Sequence, residues 1–259
     1  MKIVIAGAGE VGTHLAKMLS QENQDIILMD PNEERLKFTN NMEVLAMVGN
    51  PTSLKDLQES GIKDADLFIS VTPEEPTNIT ACMLAHSLGA HKTLARINNY
   101  EYLQPKNIEF FQKLGISSMI YPEMLAAREI VTAVQRPWAR QYWELFGGAL
   151  ILIGVKVRDN APIVNKRLTD LSLDQKLYHI VAIKRGNETI IPRGSDVIKL
   201  HDIVYFTTTR KYIPYIRKIA GKEDYADVRN VMIMGGGRIA VRTAQYVPDY
   251  MQVKIVEQE

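Results

Sequence analysis

The sequence predicts an α/β protein: a doubly wound parallel sheet, then a small α+β lobe, then the start of a second parallel unit. Three observations carry this. Short apolar runs alternate with helical periodicity up to about residue 136, the pattern of strands joined by crossover helices. Beyond Arg136-Pro137 the apolar runs crowd together with turn residues between them. Finally, the opening "KIVIAGAGEVGTHLAKML" returns as "NVMIMGGGRIAVRTAQYV" 228 residues later, an internal repeat.

Taken in order, Ile3–Ala6 reads as a buried strand. Val11, Leu15, Met18 and Leu19 then recur at helical spacing, and Ile26–Met29 supplies the next strand, completing a βαβ unit. Helical spacing resumes after Pro31, and Val44–Val48, Leu67–Val71, Thr93–Ile97 and Met119–Tyr121 follow as strands, with amphipathic segments such as Ile79–Leu88 between them. Strands separated by helices pair in parallel and are covered on both faces, and their crossovers are right-handed. The helical segment Glu123–Gln135 is either a dimer-forming arm or hinge ending at Pro137, or the last helix of this layer.

In the next stretch Tyr142–Phe146, Leu150–Val157, His179–Lys184, Thr189–Ile191 and Ile203–Thr207 are strand-like. Lys184-Arg185-Gly186-Asn187-Glu188 reads as a solvated hairpin turn. A helix near Tyr212–Ala220 leads into the polar stretch Gly221–Asp227, read as a linker. The expected division is therefore 1–136, 139–220 and 228–259.

Composition narrows the class. With 46% hydrophobic and 24% charged residues, the chain is neither disordered nor a disulfide scaffold. Lys+Arg of 31 against Asp+Glu of 30 gives a formal charge of +1, so there is no basic excess to suggest nucleic acid. The single cysteine, Cys82, cannot form an intramolecular disulfide, reads as a small buried hydrophobe and suits a reducing cytosol. The longest apolar stretch, Gly147 to Val155, is roughly half of what a helical bilayer crossing requires. The N-terminus has none of the features of an export signal.

The chemistry-bearing motif is Gly7-Ala8-Gly9-Glu10-Val11-Gly12, between the first strand and the first helix. In this context the first glycine permits a tight turn, the second lets a diphosphate approach the main chain, and the third lets helix and strand pack closely. The amides at the helix start, aided by its dipole, would face the phosphates. Asp30 ends the second strand 23 residues after Gly7, where a carboxylate can accept hydrogen bonds from both hydroxyls of an adenine-linked ribose. Its charge disfavours a 2′-phosphate, which selects NAD(H) over NADP(H) and leaves ATP or ADP compatible. The alternative is that Asp30 only caps the helix beginning near Pro31-Asn32.

The second copy repeats this Rossmann-like arrangement. Gly235-Gly236-Gly237-Arg238-Ile239-Ala240 follows the strand Asn230–Met234, and Glu257 closes the next strand 22 residues after Gly235. Ala240 is a permitted third residue. Gly235, Gly237 and Glu257 are thus candidate binding residues alongside Gly7, Gly9, Glu10, Val11, Gly12 and Asp30. A single βαβ fragment cannot bury both faces of its own sheet, so the expectation is a piece of a longer chain, or a unit completed by another chain.

Other chemistries lack their motifs. His14, His86, His91, His179 and His201 are scattered without zinc-ligand spacing. "GGGRIA" lacks the Lys-Ser/Thr pair of a P-loop, and there is no G-x-S-x-G elbow. The eleven methionines sit mostly in apolar segments, as core packing requires.

"MKIVIAGAGEVG", "IILMDPNEERL", "MVGNPTS", "DADLFISVTPEEPTNITACMLA", "KTLARINNYEYL" and "IVAIKRGNETIIPRGSDVIKLHDIVYF" together resemble the TrkA-type subunits of bacterial Trk potassium uptake systems. These are built from regulator-of-potassium-conductance (RCK) domains, each a Rossmann-like lobe followed by a small C-terminal lobe. The likeness covers practically the whole chain, and its members carry two such units in tandem. It implies a regulator and no enzyme: a cytoplasmic homo-oligomer, a dimer or tetrameric ring, held at the inner face of the membrane by a potassium transporter subunit and changing shape with bound NAD(H), ATP or ADP. By position, it makes Gly7, Gly9 and Gly12 the phosphate turn and Asp30 the ribose ligand. Asn50 and Thr52 become neighbours of the base, Thr72 and Asn78 nucleotide contacts, and Arg96 a residue facing the phosphates.

The chain departs from the family at Asn50, where aspartate is frequent, at Pro76, where glutamate is frequent, and at Asn165 and His201, where glycine is usual. Arg96 reads equally as a surface ion-pair residue, and Asn78 as a helix-start polar residue. The competing function is a NAD-dependent dehydrogenase with a small substrate domain, which needs an acid–base group facing the nicotinamide; 139–220 shows none. A scaffold with a vestigial glycine turn is the third reading, and retained acids in both copies count against it.

Overall fold

The computed structural model describes residues 1–39, 42–174 and 177–258, with backbone only at 172–174. By contact the chain divides into two units, Met1–Glu123 and Met124–Glu259.

The first unit runs β1 (Lys2–Ala6), α1 (Glu10–Ser20), β2 (Asp25–Asp30), α2 (Glu33–Leu36), β3 (Leu45–Val48), α3 (Leu54–Glu59), β4 (Leu67–Ser70), α4 (Glu75–Ser87), β5 (Lys92–Arg96), α5 (Pro105–Lys113) and β6 (Ser118–Ile120). Its six strands form one parallel sheet in the order β3-β2-β1-β4-β5-β6. β1 lies between β2 and β4, so the order reverses there, which is where open α/β sheets bind ligands, at the strands' carboxyl ends.

Strand alternation divides the core into two faces. Val4, Ala6 and Phe68 pack with Leu57 of α3, Ala81, Cys82 and Ala85 of α4 and Phe111 of α5. Ile3, Ile5 and Ile69 pack on the other face with Ala16 of α1 and Leu36 of α2. Cys82 is fully buried, as the sequence suggested. In α1 the inward residues are Gly12 and Ala16, with Leu15 and Leu19 partly buried, while Val11 and Met18 are exposed. Helical spacing alone could not choose between the two stripes; close approach of the helix to the Gly7 turn puts the smallest residue inside.

The second unit contains β7 (Gln141–Leu145), β8 (Leu150–Lys156), β9 (Tyr178–Arg185), β10 (Glu188–Ile190), β11 (Ile203–Thr208) and α7 (Ile213–Ile219). The strands form an antiparallel sheet in the order β10-β9-β11-β8-β7. Ile151, Ile153 and Val155 alternate inward from β8 and pack with Val204 and Phe206 of β11 and Ile216 of α7. The helix α6 (Pro122–Gln135) begins in the first unit, with Pro122 and Glu123, and continues into the second.

The stretch expected to be a linker is folded. Arg217 donates to the carbonyls of Lys222 and Tyr225 and pairs with Asp227 at 3.0 Å, pinning 222–227 to α7. The reason is one long guanidinium reaching three acceptors, which polarity alone does not reveal. Then β12 (Asn230–Met234), α8 (Arg238–Tyr246) and β13 (Gln252–Val256) make a two-stranded parallel βαβ unit.

Candidate nucleotide site

The glycine turn joins β1 to α1 at the order reversal of the sheet. Gly7 has φ +106°, a left-handed conformation that favours glycine, and a Cβ there would lie 3.0 Å from the Thr72 amide nitrogen. At Gly12 a Cβ would lie 1.8 Å from the Gly7 carbonyl oxygen, which no relaxation accommodates. At Gly9 nothing lies within 4 Å. Two of the three glycines are therefore required by the protein's own packing, and the middle one faces open space. Thr13 Oγ1 donates to the Ala8 carbonyl at 3.3 Å and steadies the turn.

Asp30 is 2% exposed. Its Oδ2 accepts the Ala8 amide at 2.7 Å and its Oδ1 accepts the Asn32 amide at 2.8 Å. The helix cap that might have employed Asp30 is Asn32 instead, whose side chain accepts the Glu34 amide. Arg35 stands 3.8 Å from Asp30 Oδ2 with its side chain half exposed. Each carboxylate oxygen keeps a second acceptor position.

After β3, Asn50 Oδ1 accepts both the amide and the hydroxyl of Thr52, at 2.9 and 2.8 Å. The Asn50 amide donates to Asp56 at 2.7 Å. That bond, then one from Ser53, holds the Asp56 carboxyl below its ordinary range. So Asn50 and Thr52 form a preset loop.

After β4, Asn78 is 1% exposed and fully engaged: its Oδ1 accepts Ser70 Oγ, the Thr72 amide and Thr72 Oγ1, and its Nδ2 donates to the carbonyls of Thr72 and Arg96. It ties the ends of β4 and β5 together and fixes Thr72 beside Gly7. A helix-start reading does not account for this: Asn78 lies in the first turn of α4, yet it serves the sheet.

Arg96 ends β5 and pairs with Glu123 at 2.8 Å, with side chains only 20% and 13% exposed. This is no surface ion pair. Arg96 Nε and Glu123 Oε2 have no hydrogen-bond partner among the described residues. Glu75, beside Pro76, accepts the amides of Asn98 and Asn99. Sequence reasoning missed Glu75, Glu123 and Arg35. Only the position of each acid in the first turn of a helix beside the sheet's carboxyl edge hinted at the first two.

The second copy shows the same frame. Gly235 has φ +98°, nothing lies within 4 Å of a Cβ at Gly235 or Gly237, and Glu257 accepts the Gly236 amide. Glu257 directly follows β13, and Ala240 is buried where Gly12 sits in the first copy. Among the described residues no cluster of His, Cys, Asp or Glu could hold a metal ion. Among them, too, no helix is long and apolar enough to cross a membrane.

A parallel nucleotide-type sheet with this turn, followed by a small antiparallel lobe, defines the class of RCK-type two-lobe proteins. Residues 3–122 match the TrkA-N domain and residues 152–221 the TrkA-C domain. The chain belongs to the TrkA family. It is 34% identical over 264 residues to the Trk system potassium uptake protein TrkA of Halomonas elongata, covering 99% of this chain and 57% of that protein. It is 31% identical over 258 residues to the TrkA homolog of Archaeoglobus fulgidus, covering 99% of this chain and 58% of the relative. The chain thus spans somewhat over half the length of these relatives. Among solved structures it resembles the GsuK RCK domain with a TM-score of 0.66 at 16% identity, covering 100% of this chain and 56% of that one. The GsuK channel bound to NAD gives 0.64 at 16% identity, covering 95% and 43%.

Proposed function

We propose that the chain is a nucleotide-sensing regulatory subunit that binds NAD(H), or ATP or ADP, and gates a membrane potassium transporter as a homo-oligomer at the inner face of the membrane. The observation that carries the reading is the open space at Gly9, set between two sterically obligatory glycines and beside a carboxylate bonded to the same turn. A turn held this rigidly leaves its middle residue for something outside the protein, and helix-start amides with a nearby acid suit a diphosphate joined to a ribose. The potassium-uptake names of the relatives and the NAD of the GsuK structure support the same reading.

In this reading the diphosphate lies along Gly7–Gly12, with Glu10 and Val11 starting α1 behind it. The ribose takes the remaining acceptor positions of Asp30, the base lies toward Asn50 and Thr52, and Thr72 and Arg96 border the phosphates. Arg35 swings aside, which its exposure permits. Ligand then shifts a two-state assembly by its affinity difference between the states. Gly235, Gly237 and Glu257 would serve a second ligand in the same way.

Calorimetric titration with NAD+, NADH, ATP and ADP tests this. At least one binds more tightly than about 1 mM, equivalent to about −4 kcal/mol. If all four are weaker than that, the sensor reading fails.

A further inference from the structure

The ion pair at the end of β5 is half made. Arg96 Nη2 donates to Glu123 Oε1 at 2.8 Å, while Arg96 Nε and Glu123 Oε2 are buried without a hydrogen-bond partner among the described residues. Asn98 Oδ1, two residues further on, is a third such atom. A full fork between a guanidinium and a carboxylate employs two nitrogens and both oxygens. Here one arm is missing, and each partner keeps a buried polar atom whose lost hydration nothing repays.

The main chain around the pair is fixed. The Arg96 carbonyl accepts Asn78 Nδ2 at 3.0 Å, the Ile97 amide donates to the Ile120 carbonyl at 2.8 Å, and the Asn98 amide is held by Glu75. Ile97 itself is fully buried. What remains free to move is the long Arg96 side chain and the first turn of α6, where Glu123 stands.

Arg96 ends a strand two places from β1 in the order β1-β4-β5, about 10 Å at the usual strand spacing. Between them lies Thr72, whose amide is held by Asn78 at 2.9 Å and would lie 3.0 Å from a Cβ at Gly7. Ligands of open α/β sheets lie along such strand ends. A phosphate takes a guanidinium through two nitrogens at once, so it would occupy the donor that Glu123 leaves empty. Resting on the nucleotide reading above, we infer that Glu123 is an internal competitor of the ligand. It holds Arg96 by one bond in the free protein, a ligand phosphate takes the guanidinium by two, and Glu123 is released. Glu123 is the last residue of the first unit and α6 continues from it into the second, so its release carries the presence of ligand into that helix.

The test uses NAD+, ADP and ATP as probes on the whole chain, with wild type, Glu123→Gln, Arg96→Gln and the double variant compared by calorimetry. Glu123→Gln should bind the nucleotide about tenfold more tightly and Arg96→Gln about tenfold less. Most of the gain from Glu123→Gln should vanish when Arg96 is also replaced, because the competition is for that guanidinium. Hydrogen exchange over α6 should rise when ligand is added to wild type, and Glu123→Gln should show the raised level without ligand. If a variant fails to fold, the exchange of wild-type α6 with and without ligand still decides. Three results overturn the inference and leave the nucleotide reading standing: wild-type binding that Glu123→Gln leaves unchanged or weakens, an equal gain with and without Arg96, or exchange in α6 indifferent to bound ligand. Absence of binding by all four proteins removes both.

Discussion

Asp30 accepts a hydrogen bond from the backbone amide of Ala8 at 2.7 Å, so the carboxylate expected to hold a ligand also holds the turn that would cradle it. Glu257 does the same to Gly236 in the second copy. One acid thus couples the end of β2 to the turn that leads into α1.

This double role sets the first prediction. Asp30→Ala should weaken binding of an adenosine ligand and also lower the stability of the free protein by about 1.5–3 kcal/mol, the cost of losing hydrogen bonds to a charged acceptor. Denaturant titration without ligand separates the two effects. A variant with weakened binding and unchanged stability would show that the Ala8 bond contributes nothing in solution.

The glycines should separate by role. Gly12→Ala drives a methyl into the Gly7 carbonyl, 1.8 Å away, and should unfold or severely destabilise the first lobe. Gly9→Ala meets nothing within 4 Å and should keep the unfolding midpoint while weakening nucleotide binding. Paired melting and calorimetry on the two variants read this directly. Intact affinity in Gly9→Ala would mean that no phosphate approaches that backbone.

In the small lobe, Arg185 grips Asp202 with two bonds, 2.9 Å from Nε to Oδ1 and 2.7 Å from Nη2 to Oδ2. Asp202 is 1% exposed; burial alone would raise its pKa, but Arg185 and the Lys199 amide outweigh that and hold it below the ordinary 3.8. A lowered folded pKa means this stabilisation is complete above pH 3.8 and is lost as pH falls further through the folded value. Arg185→Met strands the buried carboxylate and should cost about 3 kcal/mol at neutral pH, the lower end of the range because the Arg185 side chain is partly exposed. Chemical unfolding from about pH 2 to pH 7 should show the gap between wild type and variant closing at the acid end.

Cys82 is fully buried and its thiol is pushed up to about 12 by that burial. Iodoacetamide at pH 8 should leave the native chain unlabelled and modify it only in denaturant, since the thiolate is the nucleophile. Fast native labelling, read by mass spectrometry, would show that α4 opens readily.

Asn165 and His201 have φ of +60° and +70°. The left-handed backbone favours glycine, the residue that the family resemblance leads one to expect at both positions. Replacing His201 by glycine should stabilise the small lobe by about 1 kcal/mol, measured by its unfolding midpoint. A neutral or destabilising result would mean that the imidazole makes a compensating contact in solution.

The sheet of the first lobe was legible because its pattern is local. Each buried strand is a run such as Ile3–Ala6, and the glycine turn followed by Asp30 occurs in an order few other folds require. The small lobe's strands were visible for the same reason. Less visible were the partners. That Arg96 would meet Glu123, 27 residues on, or that Asn78 would bond the carbonyl of Arg96, follows from strand order, which periodicity does not contain. The polar stretch after residue 220 read as a linker because composition registers polarity and is blind to where Arg217 points.

Residue order along the chain was enough to establish which segments become strands and helices, that a glycine turn precedes an acid, and that the arrangement occurs twice. Those are properties of neighbours in sequence, governed by backbone sterics and apolar spacing. Only the packed chain decided that Gly9 faces open space while Gly12 touches backbone, that Asp30 is committed to Ala8, and that Asn78 bonds the carbonyl of Arg96. These are distances between residues far apart in sequence, and they exist only once strands and helices have closed on one another.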